Sequence, residues 1–283
     1  MRRGAAAVIL CAACQGLNAD GSWLWTMAMG RSAIHQAISH QPSAIDSVLR
    51  TPVVVELFTS EGCSDCPPAD AVLARLVADQ PIAGAEVIAL GEHVDYWDQL
   101  GWKDRFSSAA LTNRQQTYGS HFNLDSVYTP QMVVDGRAQF VGSDASAARR
   151  AVERAAAADH ASATLRIDSE SDRAIAVTVN VAGVQRPGRG DRADVQLAIT
   201  EDGVVTEVKR GENHGRTLTH AAVVRSMTAI AQVAADGTAT AHAEIPLGAD
   251  WRRDRLKAVA FVQEQRGRAI LAAAAAPVQA APR

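Results

Sequence analysis

Hydrophobic positions obey two different rules along this chain, and the rule changes near residue 160. The first half opens on Val53-Val54-Val55-Glu56-Leu57-Phe58, a nearly unbroken apolar run. Such a run predicts a strand covered on both faces, which has no need to alternate. Beyond Gly62 the spacing becomes helical, with Ala69, Val72, Leu73 and Leu76 on one face. Pro67 and Pro68 fall in the first turn of that helix, where a missing N–H costs little. A second apolar run, within Gly84–Val94, predicts another strand, parallel to the first through a right-handed crossover. A polar helix is predicted from Ser107 to about Phe122. Asp135-Gly136 between two apolar runs then signals a hairpin. Ser143-Asp144 caps a last, Ala-rich helix that ends near Ala158. The predicted order is strand, helix, strand, helix, hairpin, helix.

From about Ala161 the apolar residues alternate. Leu165 and Ile167 begin the pattern, Ile175 to Val181 repeat it, and Val195, Leu197 and Ile199 repeat it again. Asp202-Gly203, Asp236-Gly237 and Arg266-Gly267 supply turns, so period-two runs at regular spacing predict an antiparallel β-sandwich. The expected organisation is a possible signal peptide at 1–19, a linker at 20–50, an α/β domain at 51–158, a β-sandwich-like domain at 161–276 and a tail at 277–283.

Composition narrows the function classes. With 283 residues and a formal net charge of -3, the chain carries no electrostatic footprint for nucleic acid. No apolar run has membrane-spanning length, so no stable membrane span is expected. Arg2-Arg3 followed by Gly4–Ala13, with a small residue before Asp20, has the layout of an export signal. If that segment is removed, Cys63 and Cys66 are the only cysteines left, which suits a periplasmic or secreted redox protein. Initiation at Met27 or Met29 would instead give a cytoplasmic product.

The candidate chemistry lies at Gly62-Cys63-Ser64-Asp65-Cys66-Pro67. Strand, C-x-x-C, helix is a redox arrangement, in which Cys63 attacks and Cys66 resolves the mixed disulfide. A structural disulfide or half of a zinc site are the alternatives, and the lack of a second C-x-x-C downstream counts against zinc. Pro130, just before a predicted strand, suits a cis peptide, with the Thr129 backbone presented to an extended substrate. Tyr96, Trp97 and Trp102 are candidates for a substrate lip. Glu61 and Asp65 place negative charge beside the pair and oppose thiolate formation. His93, predicted at the end of the second strand, would complete an alternative soft-metal set with Cys63 and Cys66. His214, His220, Glu212 and Asn213 form a polar group in the second half with no assigned role.

Taken together, Leu57–Asp70, His93–Asp98 and Tyr128–Gly136 resemble a bacterial family of uncharacterised, mostly secreted proteins with a thioredoxin-like domain. The resemblance extends to Arg210–His220. It implies a thioredoxin-like α/β domain, a central mixed sheet flanked by helices, with a β-rich domain after it. It also implies a redox-type site. The expected function is therefore thiol–disulfide exchange on protein or small thiol substrates, with a possible redox partner protein and no cofactor. The alternatives are copper or zinc delivery, or a non-catalytic binding module with a permanent disulfide.

Overall fold

The computed structural model describes residues 50–185 and 190–279. The expected signal peptide, Cys11, Cys14 and all of the linker except Arg50 lie outside the described residues. The first apolar run forms β1 (Thr51–Thr59), in which every residue from Val53 to Phe58 is buried. Alternate side chains of a strand go to opposite faces. Val53, Val55 and Leu57 pack against helices α1 (Pro67–Asp79) and α3 (Ala145–Ala156). Val54 and Phe58 face the other side, where α2 (Ala109–His121) contributes Leu111 and Tyr118. β2 (Ala85–His93) runs parallel to β1. Asp135 and Gly136, with φ of 47° and 64°, turn β3 (Gln131–Val134) into β4 (Ala138–Val141). The Asp144 carboxylate caps α3, accepting from Ala147 N at 2.8 Å.

The second half supplies β5 (Ser162–Glu170), β6 (Ala174–Ala182), β7 (Ala193–Glu201), β8 (Val204–Glu207), β9 (Thr217–His220), β10 (Val223–Gln232), β11 (Ala239–Pro246), β12 (Leu256–Glu264) and β13 (Ile270–Pro277). The elements come in the order that the hydrophobic pattern predicts, but the expected fold class is overturned. A thioredoxin-like α/β domain followed by an antiparallel sandwich is not what forms. The structure is mainly β, with one mixed sheet of eight strands in the order β13-β12-β7-β10-β2-β1-β3-β4. Strands from both halves of the chain share it.

The physical reason is the outer edge of β2. A strand edge buried on both faces must find partners for its N–H and C=O groups. The start of β10 provides them: Val223 pairs with Gly91 in parallel, and Gly91 N donates to Ala222 O at 2.7 Å. Gly91 is the residue that permits this approach, because a Cβ there would lie 2.9 Å from Ala221 O. Ala222 takes a left-handed φ of 50°, and its N–H is held by Asp202 Oδ1 at 2.8 Å. Its side chain joins the core beneath α1 and α3.

The sheet then coils back on itself. Phe261, Ile270 and Ala273 of β12 and β13 pack against Val54, Ile88 and Leu90 on the face that α2 leaves open, and Ile270 N donates to Asp135 O at 2.9 Å. A separate sheet, β11-β6-β5, covers β7 and β12 and closes the second apolar core. Two of the expected turns act differently from hairpins. Asp236-Gly237 carries the chain from β10 to β11 in another sheet, and Asp202-Gly203 leads into β8, which pairs with β9 and not with β7. Arg266-Gly267 does join the antiparallel pair β12 and β13.

Glu56, inside the first apolar run, is fully buried and needs a partner. Arg114 Nε donates to its Oε1 at 2.6 Å and Tyr118 OH to its Oε2 at 2.5 Å. Gln263 of β12 donates to Tyr118 OH at 2.7 Å and accepts from Arg114 at 2.9 Å, so this polar network also spans both halves. Burial first, and then the Glu56 charge, push Glu92 well above the usual carboxylate range.

One shared sheet should unfold as one unit. In urea, tryptophan fluorescence and far-ultraviolet circular dichroism are expected to report a single coincident transition. Gly91→Ala should lower the stability by about 1–3 kcal/mol through overpacking at the β2–β10 seam. A separate transition for residues 161–279 would contradict the shared sheet.

Candidate functional site

The cysteine pair sits where β1 ends and α1 begins. Cys63 and Cys66 are joined in a disulfide with a Cα–Cα distance of 5.4 Å. Cys66 is the residue that caps α1, with Pro67 and Pro68 in its first turn. The first available helix N–H groups, those of Ala69 and Asp70, both donate to Cys66 O. No N–H of that first turn is therefore left to stabilise a sulfur anion, and the helix start is a poor thiolate site.

Exposure does not set the expected attacking cysteine apart from the resolving one. Cys63 is 1% exposed and Cys66 is 0% exposed. The Thr129–Pro130 bond is cis, and Thr129 O lies 3.9 Å from Cys63 Sγ. Trp97 is half-buried beside Gly62 and donates its Nε1–H to Thr129 Oγ1 at 2.8 Å. Tyr96 stands exposed at the rim, its hydroxyl on Gln115 Oε1 at 3.1 Å. Pro130, Thr129 and Trp97 are thus brought to the disulfide, and Tyr96 lies on the loop that leads into Trp97.

The two acids predicted to oppose the thiolate separate in role. Asp65 is exposed, where water and salt screen it. Glu61 is fully buried and bound: Trp102 Nε1 donates to its Oε2 at 2.7 Å, and His220 Nε2 lies 3.6 Å from its Oε1. His220 Nδ1 is 3.5 Å from Asp70 Oδ2, and Thr59 Oγ1 donates to Asp70 Oδ1 at 3.0 Å. Burial alone would lower the His220 pKa, but Asp70 and then Glu61 outweigh it and raise it to about 10. A buried imidazolium therefore lies between the acids that flank the cysteine motif and faces the Glu61 carboxylate predicted to oppose the thiolate.

His93 ends β2 as predicted, and one of its ring nitrogens is engaged by an acid outside the cysteine pair. Its Nδ1 is 2.6 Å from Asp104 Oδ2, and its ring meets Phe106 and His220 edge-on. Burial would raise the Asp104 pKa; His93, with the N–H groups of Glu61 and Phe106, holds it down at about 2. Among the described residues no group of three or more His, Cys, Asp or Glu side chains is arranged to hold a metal ion.

Most of what the residue pattern left unassigned comes from the second half. The loop between β8 and β9 brings Asn213, fully buried, whose Nδ2 donates to both Glu61 O and Cys63 O at 2.9 Å. Glu212 Oε2 accepts from Ser64 N at 3.1 Å. His214 remains exposed and takes no part.

A family model described as a protein of unknown function, DUF1223, matches residues 54–263. The chain belongs to the DUF1223 family. That match runs through both the cysteine motif and the β8–β9 loop and takes in strands of the shared sheet from both halves of the chain, with β13 beyond it. The crystal structure of a structural-genomics target from Agrobacterium tumefaciens is similar in fold, at 24% identity and a TM-score of 0.63, covering 83% of this chain and 97% of that one. A β-glucosidase from Kluyveromyces marxianus matches at 12% identity over 42% of this chain and 14% of that enzyme; its TM-score of 0.22 carries no argument. No curated protein matches the chain.

The raised pKa of His220 has a signed consequence. Its contribution to stability is complete below the ordinary histidine pKa of about 6.5 and is lost as pH rises through about 10. His220→Gln should destabilise the protein by on the order of 3 kcal/mol at pH 6, because it leaves buried carboxylates unpaired. The difference from wild type in urea unfolding should shrink as pH rises from about 6.5 to about 10. A difference independent of pH would show that the imidazolium is not formed.

Proposed function

We propose that this DUF1223 protein carries out thiol–disulfide exchange through Cys63 and Cys66, on a protein or small thiol substrate. The observation that carries the reading is the juxtaposition at Cys63 Sγ. The sulfur lies beside the Thr129 carbonyl, in a turn whose neighbouring acid, Glu61, faces the buried cation His220. Cys63, the sulfur beside the Thr129 carbonyl, takes the incoming thiolate, and Cys66, placed at the helix start, leaves and later resolves the mixed disulfide. Export to an oxidising compartment, as the residues before Asp20 suggest, would keep the pair oxidised between turnovers. Among the described residues no helix is long and apolar enough to cross a membrane.

A specific observation favours a second reading. Both cysteines are almost fully buried, as in a permanent disulfide that only braces a binding protein. The two readings differ in potential and in trapping. An exchanging pair should have a reduction potential above about -300 mV, and Cys66→Ser should accumulate mixed disulfides on Cys63 in cells that express the protein. A potential below that value, with no species captured by Cys66→Ser, would leave the bracing disulfide as the better account.

A further inference from the structure

Among the described residues the β8–β9 ribbon forms a two-stranded sheet of its own, paired with neither of the larger sheets. Its connecting loop, residues 208–216, is bonded to itself: Val208 N to Arg216 O at 3.0 Å, Gly215 N to Val208 O at 2.9 Å and Arg216 N to Asn213 O at 3.0 Å. Gly211 and Gly215 flank Asn213 with φ of 76° and 78°, in the left-handed region that glycine adopts freely. Val204, Leu218 and His220 anchor the two strands by burial, whereas the loop between them, bonded largely to itself, can move as a body. What ties it to the cysteine turn is a short set of hydrogen bonds: the two from Asn213 Nδ2 and the one into Glu212. Arg216 NH1 donates to Asn213 Oδ1 at 3.0 Å and fixes the amide so that its NH₂ group points at the turn.

We propose that Asn213 and Glu212 are positioning residues that latch this loop over the disulfide and set how often Cys63 can be reached. The proposal deepens the exchange reading by giving that site its regulation. Exchange needs a thiolate in line with the Cys66–Cys63 sulfur bond, and a sulfur on a residue 1% exposed does not offer that line of approach. With the latch released, one thiolate of a dithiol attacks Cys63 Sγ and Cys66 leaves as thiolate. The second thiolate of the dithiol then closes its own ring and releases Cys63. Two electrons pass from the dithiol to the cystine, and the two protons lost by the dithiol end on the cysteines. Reduction thus waits on opening.

The test uses dithiothreitol on the full chain under native conditions, with alkylation at timed intervals to count free thiols. In wild type the reduction rate should level off as dithiothreitol increases, because opening becomes limiting. Asn213→Ala should be reduced about tenfold faster or more, as expected from the loss of two hydrogen bonds that hold the closed form. Its rate should also stay linear to higher reductant. Glu212→Ala, an exposed position that should not disturb folding, should be faster by a smaller factor. Val177→Ala, which weakens the separate core beneath the β11-β6-β5 sheet and not the latch, should keep the wild-type rate. Equal rates in all four proteins, or acceleration in Val177→Ala to match Asn213→Ala, would overturn the latch. Capture by Cys66→Ser reads exchange separately, so either idea can fail while the other stands.

Discussion

The pairing of β10 with the outer edge of β2 is the constraint on which the remaining architecture depends. It is short, centred on Gly91 and Val223, with one hydrogen bond from Gly91 N to Ala222 O. That contact still decides where the second half goes. Once Val223 is fixed beside Gly91, His220 lies three residues upstream, near the carboxyl end of β2. The ribbon β8–β9 is then brought to the turn that holds the cysteines. The same seam lets β12 fold back over Val54 and Leu90 and deliver Gln263 to the buried network of Glu56, Arg114 and Tyr118. Two buried polar networks and one apolar core are therefore shared between halves that their hydrophobic patterns would separate.

The charges at the cysteine turn make physical sense only in that arrangement. Glu61 and Asp70 bracket the motif in sequence, and both are buried. A buried carboxylate without a partner is strongly disfavoured, so each needs one. His220 supplies the cation from the other half of the chain, and Trp102 supplies a neutral donor. The helix start, blocked by Pro67 and Pro68, contributes little. The acids beside the cysteine motif are thus balanced by tertiary structure and not by the α1 helix start.

Much of the first half was legible because its signals are local. The run at Val53–Phe58, the spacing of Ala69 to Leu76, the hairpin at Asp135-Gly136 and the cap at Asp144 each act within a few residues, and each appears where the pattern puts it. Cys63, Thr129 and Trp97 were found together for the same reason: all lie at the carboxyl ends or entry points of those elements. The sheet as a whole was not legible. Alternation in Ile175–Val181 or Val195–Ile199 states which face is apolar but not which strand edge is the neighbour. Gly91 was the available clue, since a lone glycine in a buried strand often marks a close backbone approach. Glu61 and Asp65 look alike in sequence, and only burial and His220 set them apart. Asn213 gave no signal of its own, because a single amide in a Gly-flanked loop has many uses.

The most direct test of the account is native-state hydrogen exchange at the Gly91 amide, which the β2–β10 seam alone protects. If the two halves form one cooperative structure, Gly91 should exchange only through global unfolding, with the same free energy as the Val55 amide in β1. Exchange of Gly91 at a much lower free energy, while Val55 stays protected, would contradict the claim that the second half is built into the sheet and completes the cysteine site.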